Sequence, residues 1–214
     1  MQNKKVVFVS IVVLIALFFV AGYVYKNNQS KNYENISKKQ AFLFQRPYSV
    51  VIGNKDAKVQ LVEFFDPACG TCAYYHPLVK DIMKTHKGDI KLVLRYAPFH
   101  KNSDYAIKML EGAREQGLFL DTLEFMFATQ NYWVKDHIVQ PKQLWALLAN
   151  VEGIDMDKLA NFMSNNKTAQ ERIAQDLEDI KTLNIDKTPT YFVNGKPLQE
   201  FGIENLKQLI NSQL

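Results

Sequence analysis

The chain opens on its most apolar stretch. Val6 to Tyr25 is twenty residues without a charge, broken only by Ser10, Ala16 and the Ala21-Gly22 pair. A helix of that length covers roughly the 30 Å of a bilayer's hydrocarbon core, and Tyr23 and Tyr25 fall where an interfacial aromatic belt sits. Residues 1–25 therefore read as an N-terminal transmembrane anchor or a signal peptide. The run exceeds the roughly 7–15 residues of a signal core, which favours the anchor. Residues 26–42 are polar and poor in apolar groups, the pattern of a flexible tether. Order is expected from about Leu43 to the last residue.

Within 43–214 the hydrophobic period switches several times. Val59 to Phe65 is almost continuously apolar, as in a strand buried on both faces. Asp66-Pro67-Ala68 breaks it. A helix then starts at Cys69, with Tyr75, Leu78, Val79, Ile82 and Met83 at helical spacing, and Lys91 to Tyr96 reads as a second strand ended by Pro98. From 103 to 183 the pattern is helical, with segments at 103–116, 118–129, 141–151, 155–164 and 168–183. Pro141 and Asp155 fit helix starts; Gly117 and Gly153 fit stops. Thr190–Val193, Asn194-Gly195 and Lys196–Leu198 predict a hairpin, and Ile203 to Leu214 a closing helix. The order is that of an α/β domain with a mixed sheet and an inserted helical subdomain at about 103–183.

Hydrophobic residues make up 47% of the chain and aromatic ones 12%, so a packed core is expected rather than disorder. The net charge is +4, and Lys4 and Lys5 ahead of the apolar run account for half of it. The remainder is too weak and dispersed for a nucleic-acid partner. Lysines flank both ends of the run, so charge counting does not orient it. The aromatic series Phe119, Phe125, Phe127, Tyr132 and Trp133 is expected to be core of the helical insertion.

Only two cysteines are present, Cys69 and Cys72, and they sit three apart. Two are too few for a disulfide framework, and a structural zinc site needs further Cys or His nearby. A cysteine at a helix N-terminus faces unsatisfied N–H groups and the positive end of the helix dipole, both of which favour thiolate. Cys69 is thus the expected nucleophile. Cys72, one turn further in, is expected to resolve a mixed disulfide. Glu63 shares a strand face with Leu61 and Phe65, so its carboxylate is expected to be buried and reluctant to ionise. His76, four residues past Cys72, either tunes the site or packs in the core; His86, His100 and His137 form no pattern. No cofactor and no metal ligand set is indicated.

The segment Glu63-Phe-Phe-Asp-Pro-Ala-Cys-Gly-Thr-Cys72 resembles the active-site segment of thioredoxin-fold proteins, in particular the DsbA type. Pro77 resembles the helix-kinking proline of that superfamily, and Thr188-Pro189 its cis-proline loop. The distance from Cys72 to Pro189 suits a DsbA-type helical insertion, and the resemblance runs over about residues 45–214. It implies a thioredoxin-like fold preceded by a single transmembrane helix, and a thiol–disulfide oxidoreductase acting on protein clients. By the same resemblance Thr188 and Pro189 would bind substrate, and Glu63 would relay a proton to Cys72. It further implies a location in the bacterial inner membrane with the domain outside the cytoplasm, and a membrane redox partner. The chain departs from the strong oxidases at Gly70-Thr71, where they carry Pro-His; Thr188 and the spacer glycine are similar to the disulfide isomerases. A potential less oxidising than that of DsbA is expected, with the oxidase, isomerase and reductase directions open. A membrane-anchored thioredoxin-like copper carrier and a peptide-binding module are the alternatives, the latter without need of a complete cysteine pair.

Overall fold

In the computed structural model, which describes residues 3–214, the apolar run does not end where the polar segment begins. A single helix, α1, spans Lys4–Lys39. The flexible tether expected at 26–42 is thus helical as far as Lys39, followed by a 3-10 turn at Ala41–Leu43. The reason is a sparse apolar face: Tyr33 is buried, stacks edge-on against Phe192 at 5.3 Å and donates its hydroxyl to the Leu183 carbonyl at 2.6 Å. Ile36, three residues on, packs in the same cluster. Two anchoring side chains at helical spacing suffice to dock a helix that its composition leaves unmarked.

The body follows as β1 (Val50–Gly53), β2 (Val59–Phe65), α2 (Gly70–Thr85), β3 (Ile90–Tyr96), α3 (Ser103–Arg114), α4 (Phe119–Ala128) and α5 (Gln130–Trp133). Next come a small hairpin of β4 (Val134–Lys135) and β5 (Ile138–Val139), then α6 (Pro141–Leu148), α7 (Met156–Ser164) and α8 (Lys167–Thr182). The chain closes with β6 (Thr190–Val193), β7 (Lys196–Pro197) and α9 (Ile203–Asn211). Five strands form one mixed sheet in the order β1-β3-β2-β6-β7, with β2 parallel to β3 and antiparallel to β6. The central position of β2 explains its almost continuously apolar sequence. The expected hairpin forms through Asn194 and Gly195, both at positive φ (48° and 79°), as a two-residue primed turn requires.

The helical insertion stands between β3 and β6, interrupted by the β4–β5 hairpin. Asp155 caps α7 by accepting from the N–H of Asp157 and Lys158, both at 3.0 Å. Phe119 and Trp133 are buried and Phe125 and Phe127 pack against the core, whereas Tyr132 is exposed, against expectation. A buried ion network ties the insertion to the sheet. Arg95, on β3, donates to Asp176 and Asp179 of α8, each at 2.6 Å, and to the Leu43 carbonyl at 2.6 Å. Arg46 pairs with Asp179 and Tyr48 donates to Asp176.

Candidate functional site

The two parallel strands β2 and β3 end side by side, and the loops that follow them meet. This is the edge at which open α/β sheets place their sites. Asp66, directly after β2, is fully buried. Its carboxylate accepts from the N–H of Ala68 at 2.8 Å, from the N–H of Phe99 and of His100 at 2.9 Å each, and from the Ser103 hydroxyl. It also meets His100 Nδ1 at 2.8 Å. A carboxylate can accept about four hydrogen bonds, and this one is saturated by the turn after β2 and the segment after β3 together. Its own backbone carbonyl accepts the Cys69 N–H at 3.0 Å. One side chain therefore fixes the turn that delivers Cys69 to the start of α2.

Cys69 is the N-cap of α2, in extended conformation, and its Sγ accepts the Cys72 N–H at 3.4 Å. The Cys69 thiol donates to the Thr188 carbonyl at 3.3 Å, and the Thr188–Pro189 bond is cis. Hydrogen bonding from the Cys72 thiol brings the Cys69 pKa down to about 5, against the opposing effect of burial, with further help from the Thr188 side chain and the backbone N–H groups of Cys72 and Thr71. Both cysteines are free thiols. Cys72 has no exposed surface. Burial, the hydrogen bond to Cys69 and the charges of Glu63 and Cys69 push its thiol well above the ordinary value. Two cysteines three residues apart thus differ in opposite directions, one poised as thiolate and one held as thiol.

Glu63 lies on the central strand opposite Leu94 on one side and Tyr191 on the other. It is buried, its Oε1 accepts the Tyr191 hydroxyl at 3.1 Å, and its Oε2 has no partner. Burial raises its pKa to about 8, Tyr191 working against the rise and Cys69 adding to it. A carboxyl that is neutral at pH 7 beside a thiol that resists ionisation has the chemistry of a proton exchange pair. Among the sequence-predicted residues, the structure brings Cys69, Cys72, Glu63, Thr188 and Pro189 to one place.

His76 does not join them. It is buried against Phe127, with Nε2 at 3.7 Å from Glu124, and burial lowers its pKa. His100 and Asp66, which formed no pattern in the sequence, are the residues missed. His100 stacks on His137 of the β4–β5 hairpin at 5.7 Å, and its pKa is raised by its hydrogen bond to Asp66 and by the charges of Asp66 and Cys69. The available signal was topological: Asp66 and His100 each follow the end of one of two apolar strands predicted to be neighbours. Gln130 of α5 completes the turn, donating to the Pro67 carbonyl at 2.9 Å. Among the described residues, no three or more His, Cys, Asp or Glu are grouped to hold a metal ion.

Known proteins are similar to this chain in sequence and fold. The structure is similar to that of oxidised BdbD from Bacillus subtilis, at a TM-score of 0.67 and 27% identity over 77% of this chain and 92% of the other. Wolbachia pipientis alpha-DsbA1 superposes at a TM-score of 0.68 with 17% identity, over 81% of this chain and 94% of that one, a likeness of fold. A Rickettsia typhi protein described as a candidate protein-disulfide oxidoreductase is 24% identical over 169 residues, 77% of this chain and 62% of its own length. The Na(+)/H(+) antiporter NhaA of Herminiimonas arsenicoxydans is 28% identical over 147 residues, 69% of this chain but 22% of the antiporter. The chain thus spans less than two thirds of these two curated relatives. The thioredoxin family profile matches residues 45–212, which is the whole of the sheet, its cysteine turn and the helical insertion, and the chain belongs to the thioredoxin family.

Proposed function

We propose that this chain is a thiol–disulfide oxidoreductase that acts on protein clients through Cys69 and Cys72. The observation that carries the proposal is the opposed proton affinity of the two thiols, one brought down to about 5 and the other pushed up. Two further observations support it: the family, and the likeness to BdbD over 92% of that chain.

In the reducing direction the Cys69 thiolate attacks a client disulfide, forming one S–S bond and releasing one client thiolate. The Cys72 thiol then passes its proton to the client thiolate or through Glu63, and attacks Cys69 Sγ. The second client sulfur leaves as a thiolate that takes its proton from water, and the pair is oxidised to a disulfide. In the oxidising direction a client thiolate attacks Cys69 Sγ of the disulfide, and Cys72 leaves as a thiolate that takes a proton from Glu63. The client's second thiolate closes its own disulfide and expels Cys69, whose low pKa makes it a good leaving group. Thr188, half-buried, and Pro189, buried, stand beside Cys69, and the backbone ahead of the proline would pair with an extended client segment.

The membrane assignment belongs to the same proposal. α1 contains an apolar window of mean hydropathy 2.8, none of it buried by the protein. We place it as a single span of the bacterial inner membrane with the catalytic body outside the cytoplasm, where a cysteine couple can persist oxidised and exchange with a membrane redox partner. The copper-carrier alternative is less well supported, since no third ligand is grouped with the cysteines among the described residues.

The test uses the full-length chain in mild detergent. It should catalyse insulin reduction by dithiothreitol. Cys69→Ala should abolish this, and Cys72→Ala should trap a mixed disulfide with the client. Undiminished turnover by the Cys69→Ala protein would overturn the proposal.

A further inference from the structure

The body of the protein reaches back along the helix that carries it. In the loop between β7 and α9, Gln199 Nε2 donates to the Lys26 carbonyl at 2.9 Å and Glu200 pairs with the Lys26 ammonium at 3.1 Å. The same two loop residues line a cleft of about 650 Å³ together with Phe18, Phe19, Gly22 and Tyr23 of α1. Phe19 is seven residues before Lys26, or about 10 Å along a helix axis. The loop therefore stands level with the last two turns of the apolar run, not above it.

From that loop an aromatic ridge leads to the active-site helix. Phe201 is 45% exposed and stacks on Tyr75 at 4.7 Å. Tyr75 meets Tyr74 at 5.7 Å, and Tyr74 is 68% exposed. The tyrosines are the second and third residues after Cys72 in α2. The helix cannot swing away freely, because its second half is docked. Tyr33 is buried in the body, and Ser37 lies so close to Gly195 that a side chain there would collide, its Cβ falling 2.0 Å from Ser37 Oγ.

Resting on the reading of α1 as a membrane span, we propose that Phe201, Tyr75 and Tyr74 lie in the headgroup layer of the bilayer that α1 crosses, so that the cysteine pair works at the membrane surface. The occupant of this ridge is lipid because its height is set by α1 itself: any bilayer covering Phe18 and Phe19 extends to the neighbouring loop. Aromatic rings, two of the three carrying a hydroxyl, suit the boundary between acyl chains and headgroups. Clients and redox partners would then be met at the bilayer surface, favouring chains emerging from the membrane and membrane-embedded thiols over proteins free in solution.

The test is photocrosslinking in proteoliposomes of phosphatidylethanolamine and phosphatidylglycerol. The full-length chain carries p-benzoylphenylalanine in place of Phe201, Tyr74, Phe18 or Ala146, one at a time, and lipid adducts are read by mass spectrometry. Ala146 is the distant control, on α6, which packs against α3, α4 and α5. Insulin reduction by each protein reports that the body is folded. Lipid adducts at Phe18, Phe201 and Tyr74, and none at Ala146, are expected. Adducts at Phe18 with Phe201 and Tyr74 no higher than Ala146, or adducts at those two positions to protein only, would overturn the proposal and leave the span standing. Absence of adducts at Phe18 as well would overturn both.

Discussion

Replacing Glu63 by glutamine tests the buried acid directly. Gln keeps the shape and an oxygen to accept the Tyr191 hydroxyl but cannot ionise. The native pKa is about 8 against an ordinary 4.5, with the carboxyl fully buried. A raised native pKa means that the folded protein holds a proton the unfolded chain has released. The stability it allows is complete below pH 4.5 and is lost as pH rises toward 8. At pH 7 the loss is (7 − 4.5) × 1.36, or about 3 kcal/mol. Glu63→Gln escapes that loss. Its stability relative to the parent should therefore rise by about 3 kcal/mol between pH 4 and pH 7. Urea unfolding of both reduced full-length proteins in detergent, followed through the fluorescence of buried Trp133, gives the comparison. A difference that stays constant across this window would refute the buried neutral acid. The relay adds a kinetic expectation: Glu63→Gln should slow release of clients from the mixed disulfide while the fold persists, and unchanged turnover from pH 6 to 8 would count against it.

Two further substitutions probe the site's edge and its support. Thr188→Val keeps the volume and removes a hydroxyl that helps lower the Cys69 pKa. A hydrogen bond to a charged group contributes about 1.5 kcal/mol, so the Cys69 pKa should rise by about one and the couple become less oxidising by about 30 mV against glutathione. A potential that did not move would show that the hydroxyl is not felt at the sulfur. Asp176→Ala leaves Arg95 buried with half its charge partners gone and should cost about 3–5 kcal/mol in urea unfolding. A loss below about 1 kcal/mol, the size of an exposed pair, would show the network to be dispensable.

The residues that carry local chemistry were legible in the sequence. Val59 to Phe65 announces a central strand by its almost continuous apolarity, and Asn194-Gly195 announces the hairpin as a pair that tolerates two positive φ angles. The cysteine turn, Glu63 and Thr188-Pro189 followed from spacing and resemblance, and the fold brings them together. What was not legible depends on distant pairing. Asp66 meets His100 across 34 positions, and Arg95 meets Asp176 across 81; neither partner is marked by its neighbours. β1 is short and only half-buried at the sheet edge, so no alternation exposes it. The β4–β5 turn uses Asp136 and His137 at positive φ where glycine would have signalled it. The helix through residues 26–39 was hidden because two residues, Tyr33 and Ile36, do the packing in a polar stretch.

The central claim is that Cys69 and Cys72 form one redox couple in which Cys69 is already a thiolate at neutral pH. The pH dependence of its reduction potential tests this most directly. Reduction of a disulfide to two thiols takes up two protons with two electrons, a slope of about 60 mV per pH unit, whereas one proton gives about 30 mV. With Cys69 at about 5 and Glu63 still protonated up to about 8, only Cys72 takes a proton between pH 5.5 and 7.5. Equilibration of the full-length protein with glutathione buffers across that window should give a reversible potential falling by about 30 mV per pH unit. A slope of about 60 mV per pH unit, or no reversible formation of a Cys69–Cys72 disulfide, would contradict the account.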